Sequence, residues 1–385
     1  MNRYLLAGAA AAALALGAGA ANAQAKFEVK VGGDAYFEAG YVDQDLDSGL
    51  RSTEFRNRMR INIIPSAKAD NGLEYGARMR IRANSGTGNN RTTDADRAYI
   101  FAQGTFGQVR LGVTNSFNDE TYVSAPTDYL PLALVDQVQN WFGPNTNIGG
   151  NGPAATVTGN SIIWPSLNTD NNATKIVYFS PRFAGLQVGA SYTPRNDNSG
   201  SGVSRSKNLA DAGFSGRMYQ DMVEVGANYN NTFGGVTVKA SAGYMWADAP
   251  SVAGVDYKNL NGWQAGATVG YAGFSVGGSY TDYGKSGLPS AATNKENTRN
   301  WVVGAQYTTG PIVVGANYKN GKDAGFIGAG AAGDRELQVY EIGVGYTVAP
   351  GLTLQAQYDY FDLDAETSAL SDKGNVVLVR TILAF

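Results

Sequence analysis

Cysteine and histidine are both absent from the 385-residue chain. The first absence rules out a disulfide framework and thiolate chemistry, while leaving an oxidising compartment tolerable. The second removes the commonest general base, the commonest metal ligand and the usual pH switch. The Ser–His pair of an ordinary hydrolase therefore cannot be assembled, and neither an enzymatic activity nor a cofactor is expected. Proline is scarce, at 12 residues. Past the N-terminal segment no apolar run approaches the roughly 20 residues a helix needs to cross a bilayer. Strong charge of either sign is also missing: 30 Lys and Arg against 33 Asp and Glu leave a net charge of −3. The basic residues fall within alternating segments, so nucleic acid is not an expected partner.

The N-terminus carries a short polar start, Asn2 and Arg3, then an apolar run from Leu5 to Ala21 and the small-x-small triplet Ala21-Asn22-Ala23. That is the pattern of a cleaved export signal over residues 1–23, leaving one domain over 24–385. Glycine (50 residues) and tyrosine (22) are abundant, a composition suited to many short strands joined by tight turns.

After the signal, the chain alternates apolar and polar residues with period two in sixteen segments. They are Lys26–Tyr41, Glu54–Ile64, Leu73–Arg82, Asp96–Gln103, Gln108–Thr114, Thr174–Ser180, Leu186–Thr193, Asp221–Asn230, Val236–Ala247, Asn261–Tyr271, Phe274–Tyr283, Asn300–Thr308, Ile312–Lys319, Glu336–Val348, Leu352–Phe361 and Asn375–Phe385. Tight connections such as Gly104–Gly107 and Ala272–Gly273 interleave with long polar ones such as Pro194–Gln220 and Asn320–Arg335. The expected fold is all-β, a 16-stranded antiparallel transmembrane β-barrel with short periplasmic turns and long outer loops.

One parity class along these segments reads as apolar and free of charge, and the other gathers the charges, amides, hydroxyls and glycines. An outward Lys or Arg near the bilayer midplane costs about 2–4 kcal/mol. A dry sandwich core could not bury arginines in rows, whereas a water-filled lumen can hold them. Tyr192, Trp246, Tyr280, Tyr318 and Tyr360 end upward strands on the apolar face, and Tyr178, Tyr229, Tyr271, Tyr307 and Tyr346 end downward ones, which predicts two aromatic belts. Lumen-facing Gly189, Gly226, Gly277, Gly304, Gly315 and Gly343 read as barrel patterning. Gly284-Lys285-Ser286 lacks the upstream glycine of a phosphate loop.

Two neighbouring segments carry arginine at every second position: Arg56, Arg58, Arg60 and then Arg78, Arg80, Arg82. Arg97 and Arg110 extend the set. The longest stretch without strand or turn character follows, Ser116–Ala173, which holds Asp119, Glu120, Asp128, Asp136 and Asp170 and no Lys or Arg. A connection this long in an ordered chain is commonly functional. The expectation is a third loop folded into the lumen, its acids facing the arginines across a narrow opening.

Three stretches give the chain a family resemblance. They are Arg97-Ala-Tyr-Ile with Phe106-Gly-Gln-Val-Arg-Leu-Gly112, then Tyr178-Phe-Ser-Pro-Arg-Phe-Ala-Gly185, and the C-terminal Phe385 with Leu383, Thr381, Val379 and Val377 on its face. In these the sequence resembles the Gram-negative general porins over essentially the whole mature chain. Within the loop, Thr127-Asp128-Tyr-Leu130-Pro131 resembles a segment that relatives carry at the constriction, but Leu132 stands where they continue with glutamate.

The resemblance implies a homotrimer in the outer membrane of a Gram-negative bacterium, passing small hydrophilic solutes and ions by diffusion. It also implies that Phe385 is a signal for the outer-membrane assembly machinery. Asp128 carries over as a pore acid and the missing glutamate does not, so selectivity is expected to be weak and to lean towards anions. A solute-specific channel for sugars or anions would want lumen-facing aromatics, for which Tyr36, Tyr99 and Phe361 have the right parity. A structural or adhesin barrel is the remaining alternative. The segments before the long loop carry outward Met59, Ile61, Ile63, Met79, Ile81, Leu111 and Val113 with few outward Tyr or Trp, as expected of a face that meets protein rather than lipid.

Overall fold

The computed structural model describes residues 26–83, 92–126, 141–142, 162, 165–167, 173–196, 199–203, 205, 219–251, 254–291, 296–325 and 334–385. The export signal, Asp128, Asp136 and Asp170 lie outside the described residues. All sixteen expected strands are present: β1 (Glu28–Gln44), β2 (Thr53–Lys68), β3 (Glu74–Ala83), β4 (Thr93–Gly104), β5 (Gly107–Val113), β6 (Thr174–Phe179), β7 (Leu186–Arg195), β8 (Gln220–Phe233), β9 (Val236–Asp248), β10 (Leu260–Tyr271), β11 (Phe274–Gly284), β12 (Thr298–Thr309), β13 (Ile312–Asp323), β14 (Arg335–Ala349), β15 (Leu352–Asp364) and β16 (Asp372–Ala384). Each pairs antiparallel with its sequence neighbours, and β1 pairs with β16 to close the barrel. Closure leaves no sheet edge, so the strand backbone is satisfied without water, the condition for crossing a bilayer. At the seam Gly33 N donates to Phe385 O at 2.7 Å and Phe385 N donates to Gly33 O at 3.0 Å.

The outward face is apolar over its middle, with Val31 65%, Phe55 62% and Ile100 57% exposed. At the long-loop end an aromatic row crosses β10 to β15. Trp263 meets Tyr280 at 5.1 Å, Trp301 meets Tyr318 at 5.0 Å, Tyr318 meets Tyr340 at 4.7 Å and Tyr340 meets Tyr360 at 6.1 Å.

The expectation of a wholly uncharged outward class fails just above this row. Asp282, Arg299, Lys322, Glu336 and Asp364 are consecutive cross-strand partners and share the parity of the outward aromatics. Strand length explains them. The 15 residues of β14, at about 3.3 Å each and a tilt near 40°, rise roughly 38 Å against an apolar band of about 25 Å. The strands outrun the hydrocarbon, and their upper ends meet water or headgroups.

Inside, the described parts of the β5–β6 connection, the third long loop, form a strap laid along the wall. It opens with the short helix α1 (Phe117–Thr121), capped by Ser116, whose side chain accepts from Asp119 N. Val123 N donates to Ser241 Oγ at 2.7 Å, Ser124 and Ser279 share a hydroxyl bond of 2.9 Å, and Thr268 Oγ1 donates to Ser124 O at 2.7 Å. Further on, Trp141 Nε1 donates to Glu38 at 3.0 Å and Phe142 stacks on Phe361 at 3.9 Å. The return pass is pinned by Leu167 N on Gln264 (2.6 Å) and by Thr281 Oγ1 and Tyr283 OH, which donate to the carbonyls of Pro165 (2.7 Å) and Ser166 (3.1 Å). Trp141, Phe142 and Ile162 pack with Val302, Leu337, Val339, Phe361, Leu363, Val376 and Leu378 of the wall, so β12 and β14–β16 supply an apolar patch beneath the strap.

Glycines make room for it. A Cβ on Gly189 would strike Phe117, on Gly226 or Gly243 Asn118, on Gly266 the Val123 carbonyl, on Gly262 Leu167, on Gly321 the Ile162 carbonyl and on Gly40 the Trp141 ring. Two of the six repeat glycines, Gly189 and Gly226, are therefore loop seats as well as barrel patterning. Gly277, Gly304 and Gly315 meet only neighbouring strands.

Candidate functional site

The anchors just described touch β1 and β7 to β16. The arginines lie on the remaining wall. Their inward direction follows from the pleat: with period two, Arg56, Arg58 and Arg60 share one face of β2 and Arg78, Arg80 and Arg82 share one face of β3. The register sets Arg60 opposite Arg82 and Asn62 opposite Arg80. Six guanidiniums on two strands about 4.8 Å apart would repel one another without local compensation.

The compensation comes mainly from the wall itself. Asp34 of β1 accepts from Arg60 Nε at 2.9 Å and from Arg58 Nη2 at 3.2 Å. Asp96 of β4 accepts from Arg80 Nε at 2.7 Å, and Arg82 is held by Asp94. Arg78 donates to Asn62 at 3.0 and 2.8 Å. Arg56 makes no hydrogen bond or ion pair among the described residues and lies 5.8 Å from the Tyr36 ring. Arg58 lies over the same ring at 4.8 Å and Arg380 of β16 at 4.5 Å, so one tyrosine carries three cations on its π-faces. Arg380 is paired with Glu38 at 2.7 Å. Glu38 in turn accepts from Trp141, so the strap and the wall share one buried carboxylate.

The loop acids meet the far side of this wall. Glu120 pairs with Arg110 at 3.3 Å, and Arg97 donates to Asn115 at the start of the loop. The pleat and register thus set all eight sequence-predicted basic residues on the inward face, and of the four predicted loop acids Glu120 pairs with one of them. Phe385 sits apart at the seam, 56% exposed.

Sequence reasoning missed Asp94 and Asp96 as partners because of a β-bulge. The β3–β4 register shifts between Arg80 and Ile81, with Arg80 opposite Arg97 and Ile81 opposite Ala95. Asp96 is the extra residue. Strict alternation would put it on the face opposite Arg97 and Tyr99, but the bulge resets the phase and turns both Asp96 and Arg97 inward. Asp34, Glu38 and Arg380 had the correct parity; the β1–β2 register sets Asp34 and Glu38 opposite Arg60 and Arg56, and the closing β1–β16 register adds Arg380.

The barrel matches solved structures along nearly its whole length. A mutant form of the Rhodopseudomonas blastica porin is 17% identical, with a TM-score of 0.57, covering 93% of this chain and 100% of that one. A form of OmpT, an outer membrane protein of Vibrio cholerae, lacking loop L8 is 12% identical with a TM-score of 0.61, over 93% and 99%. These show the fold. Among curated sequences, the uncharacterized protein RC0098 of Rickettsia conorii is 24% identical over 423 residues, 93% of each chain, and an uncharacterized Rickettsia felis protein is 22% identical over 424 residues. Residues 9–366 match the family described as Gram-negative porin. With a closed sixteen-strand barrel, an inward strap and a charged lumen wall, the chain belongs to the Gram-negative porin family and is an outer-membrane porin channel.

Proposed function

We propose that small hydrophilic solutes and ions diffuse passively through the gap between the β2–β4 arginine wall and the strap, with weak selectivity that leans towards anions. The observation that carries this reading is the distribution of loop contacts. Described strap residues bond to walls from β1 round to β16 and to Arg97 and Arg110, while the inward arginines of β2 and β3 bond only to β1, β2 and β4. Water is left against the ladders, and a transverse field from cations on one side and the loop acids Asp119, Glu120, Asp136 and, by resemblance, Asp128 on the other orients polar solutes. A sugar-specific channel is less well supported: lumen-facing Tyr36, Tyr99 and Phe179 are covered by guanidiniums, and Phe361 is stacked under Phe142.

Planar-bilayer conductance of the purified protein tests this reading. Stepwise ohmic insertions with a reversal potential set by salt gradient are expected. Silence in the bilayer after verified folding would return the barrel to a structural or adhesive role.

The outward faces of β1–β5, which stand outside the aromatic row of β10–β15, are proposed to pack a homotrimer. Light scattering in mild detergent is expected to give three chains per particle. Export through cleavage after Ala23, and recognition of Phe385 by the assembly machinery, complete the proposal.

A further inference from the structure

At the short-turn end of the barrel the lumen widens into a cavity of about 720 Å³. Its lining includes four cations, Lys68, Arg110, Arg182 and Lys239, and two carboxylates, Glu74 and Glu120. Glu120 is neutralised by an ion pair, whereas Glu74 has, among the described residues, only a neutral amide donor and keeps its charge. Glu120 pairs with Arg110 at 3.3 Å, and Glu74 accepts from Gln103 Nε2 at 2.9 Å. Lys68 and Lys239 are exposed and form no hydrogen bond or ion pair among the described residues.

Arg182 differs from them in being fixed. It donates to Gly185 O at 2.6 Å, Gln187 Oε1 at 3.1 Å and Asn228 Oδ1 at 2.5 Å. Neutral oxygens orient a guanidinium without cancelling its charge. Three cations, from the end of β2, the β6–β7 turn and the start of β9, thus face one un-neutralised carboxylate, Glu74, the cross-strand partner of Lys68, and leave a net positive opening on the side of the strap away from the long loops.

We propose that this vestibule is a second anion site, in series with the constriction, that holds small polyvalent oxyanions. It rests on reading the barrel as a channel. Polyvalence follows from the spread of the charges. A monovalent ion meets one exposed cation at a time and is screened beyond about 10 Å at 0.1 M salt, whereas a short polyphosphate engages several at once and gains from each.

The test uses single channels of the full-length protein, first in potassium chloride alone and then with inorganic tripolyphosphate added to one side. Conductance in chloride alone reports on the channel reading; its absence overturns that reading and this proposal with it. On conducting channels, tripolyphosphate is expected to reduce the current saturably from one side only, because from the other it meets the constriction first. Lys68→Gln with Lys239→Gln should weaken that block about tenfold, the scale of losing two or three weak exposed charge contacts. Arg182→Lys keeps the charge and should retain most of it. Arg51→Gln, at the opposite rim, should leave it unchanged. Equal block from both sides, no block at all, or full block in the Lys68/Lys239 double variant would each overturn the vestibule site while leaving the channel reading intact.

Discussion

Along β2 and β3 the lumen wall carries six arginines, each inside hydrogen-bonding or ring-contact distance of a wall partner, and the described strap residues bond to none of them. Where the strap touches β7 to β13, its contacts include glycine, serine, threonine and glutamine of the wall. The first region pairs its side chains within the wall, away from the described loop residues. The second has glycines at which the loop approaches the strand closely. On the proposed reading the two regions bound the opening: glycines fix how far back the strap sits, and cross-strand acids fix how far forward the guanidiniums stand.

The contrast breaks most forcefully at Gly266, where a side chain would run into the Val123 carbonyl. Gly266→Val is expected to cost about 3 kcal/mol through overpacking or to lift the strap. Either way it should lower the midpoint of thermal unfolding in detergent and raise open-channel noise. Gly315→Val is its control, because Gly315 faces Ala305 and Gln306 of the adjoining strand and no described loop residue. It should leave the noise unchanged. Equal noise in both variants would mean that the glycine seats do not position the loop.

The arginine side breaks by charge. Replacing Arg58, Arg60 and Arg80 together by Gln is expected to move the reversal potential towards cations and to enlarge conductance. Asp96→Asn should move the potential the other way and cost about 2 kcal/mol, since it leaves Arg80, Arg82 and Arg97 around a neutral amide in a half-dry wall. Both shifts should grow at low ionic strength. If neither variant alters the potential at about 0.1 M salt, where the Debye length is about 10 Å, these residues do not bound the path.

Phe385 sharpens the comparison at a site that belongs to neither region. The sequence suggested a recognition signal for the assembly machinery. The seam adds two backbone bonds to Gly33, worth about 1 kcal/mol each, so its deletion is not structurally harmless. Deletion is expected to lower the folded protein in the outer membrane severely and in-vitro refolding only slightly. Equal losses in both assays would assign Phe385 to the seam alone.

The fold was legible because a closed barrel forces every strand to obey period two and every connection to alternate. The sixteen segments and the inward direction of Arg56 to Arg110 follow from that rule. It fails where the chain departs from strict alternation or outruns the membrane. The bulge at Asp96 reversed the phase of β4 locally, hiding the acids that hold Arg80 and Arg82. Of the charged row, Arg299, Lys322 and Asp364 lay on strand ends that the sequence reading assigned to loops, whereas Asp282 and Glu336 lay inside expected strands and contradict the uncharged outward class directly. The seats of the strap were beyond reach for a different reason. A glycine that admits a distant loop and one that merely eases a pleat look alike until the chain is closed.

The smallest effect separates charge inside the barrel from charge outside it. Lys322 and Glu336 pair at 2.6 Å on the outward row, with side chains 28% and 31% accessible, and Asn320 adds a second bond to the same carboxylate. Arg80 and Asp96 pair at 2.5 Å in the lumen, where accessibility falls to 17% and 7% and two further guanidiniums lie close. The distances are nearly the same and the surroundings are not. Outside, water and salt screen the pair, and either partner can be solvated when the other is lost, so Glu336→Gln should cost less than about 1 kcal/mol. That small cost should vanish in about 1 M salt, where the Debye length is only about 3 Å. Inside, the loss of Asp96 leaves three cations that the wall cannot easily hydrate, and salt should recover only part of the deficit. Thermal unfolding of the two variants at low and high salt measures the difference. A Glu336 variant as destabilised as the Asp96 variant, and equally insensitive to salt, would mean that the outward row is buried against something, and the trimer face would then have to include β13 and β14.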